Sequence, residues 1–151
     1  MASSSYSNSS GCFVCGSDPS SSSHVFRKVA EKASHVVYYT IPSKVKVEYP
    51  ADAIIAHYDH ILREKSPKRR WVWVFDGTNF DTDHIMELKT GQGIAELLKG
   101  DNLTSLAEIK IINPTVHLKV LLKVIKPFME DALKAKLTIL DDRSYSVLEF
   151  I

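Results

Sequence analysis

The stretch Trp71-Val72-Trp73-Val74-Phe75-Asp76-Gly77 opens as an unbroken run of aromatic and β-branched residues. A strand with one wet face would alternate apolar with polar residues. This one is therefore read as buried on both faces, the condition of a parallel strand covered by helices. Glu108-Ile109-Lys110-Ile111-Ile112-Asn113-Pro114 repeats the pattern, and Lys136-Leu137-Thr138-Ile139-Leu140 does so again. Helix-like stretches separate them, which defines the α/β class: a mainly parallel sheet of about four strands joined by crossover helices.

Outward from that core, His35-Val36-Val37-Tyr38-Tyr39-Thr40 is expected as the first strand, closed by Ile41-Pro42. Pro50 opens a helix with Ile54, Ile55, Tyr58, Ile61 and Leu62 on one stripe, and Ser66-Pro67 ends it. Asp81-Thr82-Asp83 offers caps for a helix over about 84–99, which Gly91 and Gly93 are expected to weaken or break in two. Thr115 caps a helix through Val116, Leu118, Val120, Leu121, Val124 and Ile125 that Pro127 stops. A last helix is expected over Tyr145 to Ile151, capped by Asp141-Asp142-Arg143-Ser144. The division is a Ser-rich N-terminal segment, 1–34, and an α/β domain, 35–151.

The chain has 151 residues, enough for one core. Nineteen Lys and Arg stand against 18 Asp and Glu, a formal charge of +1. No global field recruits nucleic acid, and any anionic partner must be met locally. No apolar stretch reaches the roughly 18 residues of a membrane span, and the Ser-rich start has no apolar signal-peptide region. A soluble, cytoplasmic protein is expected.

Cys12 and Cys15 are the two cysteines. With His24 they make three ligands of a tetrahedral structural zinc site, for which His57 is the favoured fourth over His35 and His60. The other reading is a free or redox-active thiol pair. Lys65, Lys68, Arg69 and Arg70 form a basic patch beside Trp71. It is either a solvated loop or a membrane contact on anionic headgroups, each charge contributing roughly 1 kcal/mol. No nucleophile elbow or phosphate loop is present, and Asp81, Asp83 and His84 suit a helix cap. The chain is read as non-enzymatic. A zinc hydrolase would need an open coordination position and a general base.

From about Trp71 to Leu140 the chain resembles the CRAL-TRIO lipid-binding domain. The resemblance is carried by the aromatic strand ending in Asp76-Gly77, by Ile111-Ile112-Asn113-Pro114, by Ile125-Lys126-Pro127-Phe128 and by Lys136 opening its strand. It implies a non-enzymatic carrier of a hydrophobic small molecule or phospholipid, working at a membrane surface, with the tail laid against the sheet beneath a mobile helix. Tyr145 to Ile151 is the candidate for that helix. Lys136, Phe128 and Tyr145 are the implied ligand contacts. Where phosphoinositide-binding members carry Glu and Thr, this chain has Thr104 and Leu133. Some divergent members bind small GTPases or self-associate instead, so a scaffold without cargo is the alternative. The apolar end Val147-Leu148-Glu149-Phe150-Ile151 adds the expectation of a homodimer or a protein partner.

Overall fold

The computed structural model describes residues 26–44, 51–81 and 88–151. Among them a five-stranded sheet forms from β1 (Arg27–Glu31), β2 (Val36–Thr40), β3 (Trp71–Asp76), β4 (Leu106–Ile112) and β5 (Leu137–Leu140), in that spatial order. The run from β2 to β5 is parallel, as expected. One strand was not expected: β1 lies ahead of His35 and pairs antiparallel with β2. Its residues, Arg-Lys-Val-Ala-Glu, are mostly exposed, so an edge strand of this kind carries no apolar signal.

The helices are α1 (Ala51–Arg63), α2 (Leu88–Leu97), α3 (Asp101–Ser105), α4 (Val116–Ile125) and α5 (Asp131–Lys134). Each parallel crossover steps one place in the same direction across the sheet. Crossovers of one hand that all step one way must lie on one face. They do: Tyr58 of α1, Ala95 of α2, Leu121 of α4 and Leu133 of α5 all gather against Trp73, Ile109 and Ile111. Phe26 anchors the far end of this layer. Its ring stacks on Tyr38 at 5.0 Å and on Tyr58 at 4.5 Å, and meets Trp71 and Trp73 edge-on at 6.2 and 5.5 Å. Such pairs add about 0.5–1.5 kcal/mol each beyond the area they bury.

The opposite face holds Val37, Tyr39, Ile41, Val74 and Ile112, and none of α1 to α5 contributes to that cluster. Tyr145, Val147 and Phe150 from the chain's own end cover it. The expected terminal helix is a single 3-10 turn, Val147–Phe150, with Ser146 and Glu149 closing a capping box. Half of the apolar end that suggested self-association is thus used within the chain, while Leu148 and Ile151 stay exposed. No helix of the described residues is long and apolar enough to cross a membrane.

Gly91 and Gly93 do not break α2, which runs through both. They are where it meets its neighbours. A Cβ on Gly91 would strike Ile125 Cδ1 of α4, and one on Gly93 would strike Ile55 Cδ1 with Cγ1 behind it at 2.8 Å. The lost helix propensity, about 1 kcal/mol per glycine, is offset by the close approach. Gly93→Ala is expected to lower stability by about 1 kcal/mol net, since overpacking costs about 1–3 kcal/mol. Gly91→Ala is expected to be near neutral, because only the end of the Ile125 side chain must move, and Ile125 borders the cavity into which it can turn. Urea unfolding of the two variants checks this; equal effects would contradict it.

Candidate functional site

Between the sheet and the helical layer lies a cavity of about 160 Å3. The sheet supplies Trp73, Phe75, Ile109, Ile111 and Leu137; α1 supplies Ile54 and Tyr58; α2 supplies Ile94 and Ala95; α4 supplies Leu118, Leu121, Leu122 and Ile125. Its wall is apolar because every contributing element turns its buried stripe this way. The hydroxyl that the sheet contributes to the lining, Thr40 Oγ1, already accepts from Tyr58 Oη at 3.3 Å and Trp73 Nε1 at 3.0 Å. A cavity of this lining favours hydrocarbon over water.

The residues singled out from the sequence fall elsewhere. Lys136 does not line the cavity; its Nζ donates to the Leu103 carbonyl at 2.5 Å, closing the end of α3. Phe128 follows α4 in the 3-10 turn Lys126–Phe128 and is exposed, while its neighbour Met129 lines the cavity. Tyr145 is on the other face of the sheet, tilted against Phe150 with ring centroids 6.0 Å apart and covered by Arg143 at 3.9 Å. The cavity walls were legible only as helix and strand stripes, because any well-shaped aliphatic residue serves there.

The basic patch divides. Lys65 is buried over the Trp71 ring and donates to Ser105 Oγ at 3.3 Å, and burial lowers its pKa. Arg69 donates to the carbonyls of Lys32 and Ala33, holding the β1–β2 turn. Lys68 and Arg70 are exposed.

Cys12, Cys15 and His24 lie outside the described residues. Among the described residues no group of three or more His, Cys, Asp or Glu side chains is placed to hold a metal ion. His57 is buried, and its Nε2 meets the Phe26 carbonyl at 3.0 Å, a bond that coordination through that nitrogen would displace.

At the C-terminal ends of the strands a buried carboxylate organises four segments. Asp76 accepts from Tyr39 Oη at 2.8 Å, from the Thr78 backbone N–H at 3.0 Å and Oγ1 at 2.6 Å, and from Asn113 Nδ2 at 3.2 Å. Asn113, at φ 52°, then binds the Tyr145 backbone both ways: its Nδ2 donates to the carbonyl at 2.9 Å and its Oδ1 accepts the N–H at 2.8 Å. Asn tolerates this left-handed backbone better than most residues. Thr115 follows, capping α4 by accepting from Leu118 N at 3.2 Å while donating to the Phe80 carbonyl at 2.6 Å. The Asp-Gly and Asn-Pro motifs are thus a latch that sets the strand ends and the C-terminal cover.

The parallel, helix-backed sheet, this latch and the apolar cavity define an α/β binding domain. The CRAL/TRIO domain family model matches residues 15–151, and the chain belongs to that family. CRAL/TRIO domains bind small lipophilic molecules and are generally non-enzymatic. No curated protein matches the chain.

His57 makes the fold sensitive to acid. Burial pulls its pKa from 6.5 to about 4, against the bond to the Phe26 carbonyl, which raises it. As pH falls the unfolded chain takes up this proton first, so stability present above about pH 6.5 is lost on the way to about pH 4. The loss is on the order of 3 kcal/mol. His57→Gln, whose amide can donate to the same carbonyl without titrating, is expected to show a shallower decline over that window in chemical denaturation. Parallel pH profiles for the two proteins would contradict the assignment.

Proposed function

We propose that this domain holds a hydrophobic small molecule or the apolar tail of a lipid between β3, β4 and the layer of α1, α2 and α4, and acts without catalysis. The cavity carries this reading: it is walled by aliphatic and aromatic side chains from every element of the helical layer, and its sheet-side hydroxyl, Thr40, already has partners. Pockets for whole drug-sized ligands span about 300–1,000 Å3. At about 160 Å3 the cavity takes part of a tail, and a larger cargo displaces half-buried wall residues such as Leu122 and Met129. Lys136, held by the Leu103 carbonyl, must leave that bond before it can contact a headgroup.

Incubating the delipidated protein with a mixed phospholipid, sterol and retinoid extract and identifying co-eluting species by mass spectrometry tests the proposal. Wild type is expected to retain apolar molecules above a control protein. Ala95→Leu and Ile111→Phe, which fill the cavity, are expected to cut retention several-fold, whereas Val72→Leu on the other sheet face is expected to leave it unchanged. Retention of nothing, or equal retention by filled and unfilled variants, overturns the cargo reading. The first result would leave a scaffold that binds protein rather than lipid.

A further inference from the structure

The two edges of the sheet are built differently. β1, at one edge, carries Arg27, Lys28 and Glu31, and its pairing with β2 is interrupted by a bulge between Lys28 and Ala30. Charges and bulges of this kind keep an edge from recruiting another strand. β5, at the other edge, reads Leu-Thr-Ile-Leu, with no charge, no proline and an unshifted register against β4. Its backbone also has groups to offer. The Ile109 N–H donates to the Lys136 carbonyl at 2.8 Å, and in a parallel ladder successive residues point to alternate sides. Thr138 and Leu140 therefore complete the rungs to β4, while Leu137 and Ile139 turn their N–H and C=O groups to the open edge.

The charge beside this edge is of one sign. Ile139, 40% exposed, and Leu122 of α4 form the apolar part of a groove along β5. Lys119 and Lys123 of α4 and Lys126 of the following turn line it, and Asp141 at its end accepts from Lys119 Nζ at 2.9 Å. No Asp or Glu occurs from Val116 to Phe128. Among the described residues no carboxylate pairs with Lys123 or Lys126.

We propose that β5 recruits an extended acidic segment of another protein as a sixth strand of the sheet. Pairing with the backbone of Leu137 and Ile139 supplies the attachment, and alternate side chains of the segment, turned toward α4, supply the selectivity. Carboxylates at those positions meet Lys123 and Lys126. A neutral strand could use the same backbone groups but would leave both ammonium groups unmatched. A second copy of β5 is such a strand, since Leu137–Leu140 carries no acid. The proposal stands apart from the cargo reading, because Leu122 is the only residue that the groove shares with the cavity.

Fluorescence anisotropy of a short dye-labelled peptide in which Glu alternates with Val, titrated with the full chain, tests this. Wild type is expected to bind it, and to bind the peptide with Gln in place of Glu roughly three- to tenfold more weakly. Lys123→Glu, Lys126→Glu is expected to reverse the preference, losing the Glu peptide and gaining one in which Lys alternates with Val. Lys68→Glu, Arg70→Glu, an equal change of charge elsewhere, is expected to bind like wild type. Ile139→Pro removes one N–H from the open edge and none from the ladder to β4, and is expected to abolish binding. Peptides methylated on the backbone nitrogen of every Glu, or of every Val, make the same test with the protein unaltered. One set of amides faces β5, so one peptide is expected to lose binding and the other to keep it. Wild type that ignores the Glu peptide, binding kept by both methylated peptides, or an unchanged preference in the charge-reversed variant each overturn the proposal. So does a wild-type dimer that Ile139→Pro dissolves, which would assign the edge to a second copy. Phosphatidylserine vesicles bound while the peptide is ignored would assign the lysines to lipid and overturn it as well.

Discussion

The directional rule on crossovers governs this molecule. Because β2, β3, β4 and β5 are laid down in sequence order, each connection stepping the same way, the helices have one face of the sheet available to them. That places α1, α2 and α4 over the aromatic side of β3 and leaves the side bearing Tyr39, Val74 and Ile112 to a short terminal segment. The cavity forms where three helices converge on one sheet face. The same geometry gives α4 its two apolar sides, one toward the cavity and one toward solvent.

The polar residues of the motifs that tie the chain to its family, Asp76 and Asn113, do mechanical work at the strand ends rather than in the cavity wall. Asp76 gathers Tyr39, Thr78 and Asn113, and Asn113 in turn holds Tyr145, so one buried carboxylate fixes three strand ends and the cover of the second face. Losing it would leave several donors unsatisfied, at about 1–3 kcal/mol each for those that are buried. Burial and the bond to Asp76 both raise the pKa of Tyr39, which keeps its phenol a donor. Pro127 ends α4 and releases the chain into α5 and β5. The polar residues of the signature therefore set the strand ends, while its apolar residues Trp73, Phe75, Ile111 and Ile125 wall the cavity.

The central strands were legible because burial on both faces leaves continuous apolar runs, as in Trp71–Phe75 and Ile109–Ile112. The cap at Thr115 and the stop at Pro127 were legible because each is local chemistry. β1 was not, since an exposed edge strand lacks periodicity. Gly91 and Gly93 misled because helix propensity describes an isolated helix, whereas here the absent Cβ atoms admit Ile125 and Ile55. The terminal helix was overestimated because the bond between Tyr145 and Asn113 fixes the chain just before it, leaving room for one turn. In the candidate site, Lys136, Lys65 and Arg69 looked available to ligands, but backbone carbonyls or neighbouring hydroxyls engage all three. Such partners are distant in sequence and leave no mark in it.

The central claim is that apolar cargo enters the helix-backed face of the sheet and leaves the other face undisturbed. Methyl NMR of the Ile, Leu and Val side chains during titration with an apolar ligand tests it most directly. The account predicts shifts at Ile94, Ile111, Leu118 and Leu121, which wall the cavity, and none at Val37, Val74 and Ile112. Shifts confined to the second set, or spread equally over both, would contradict it.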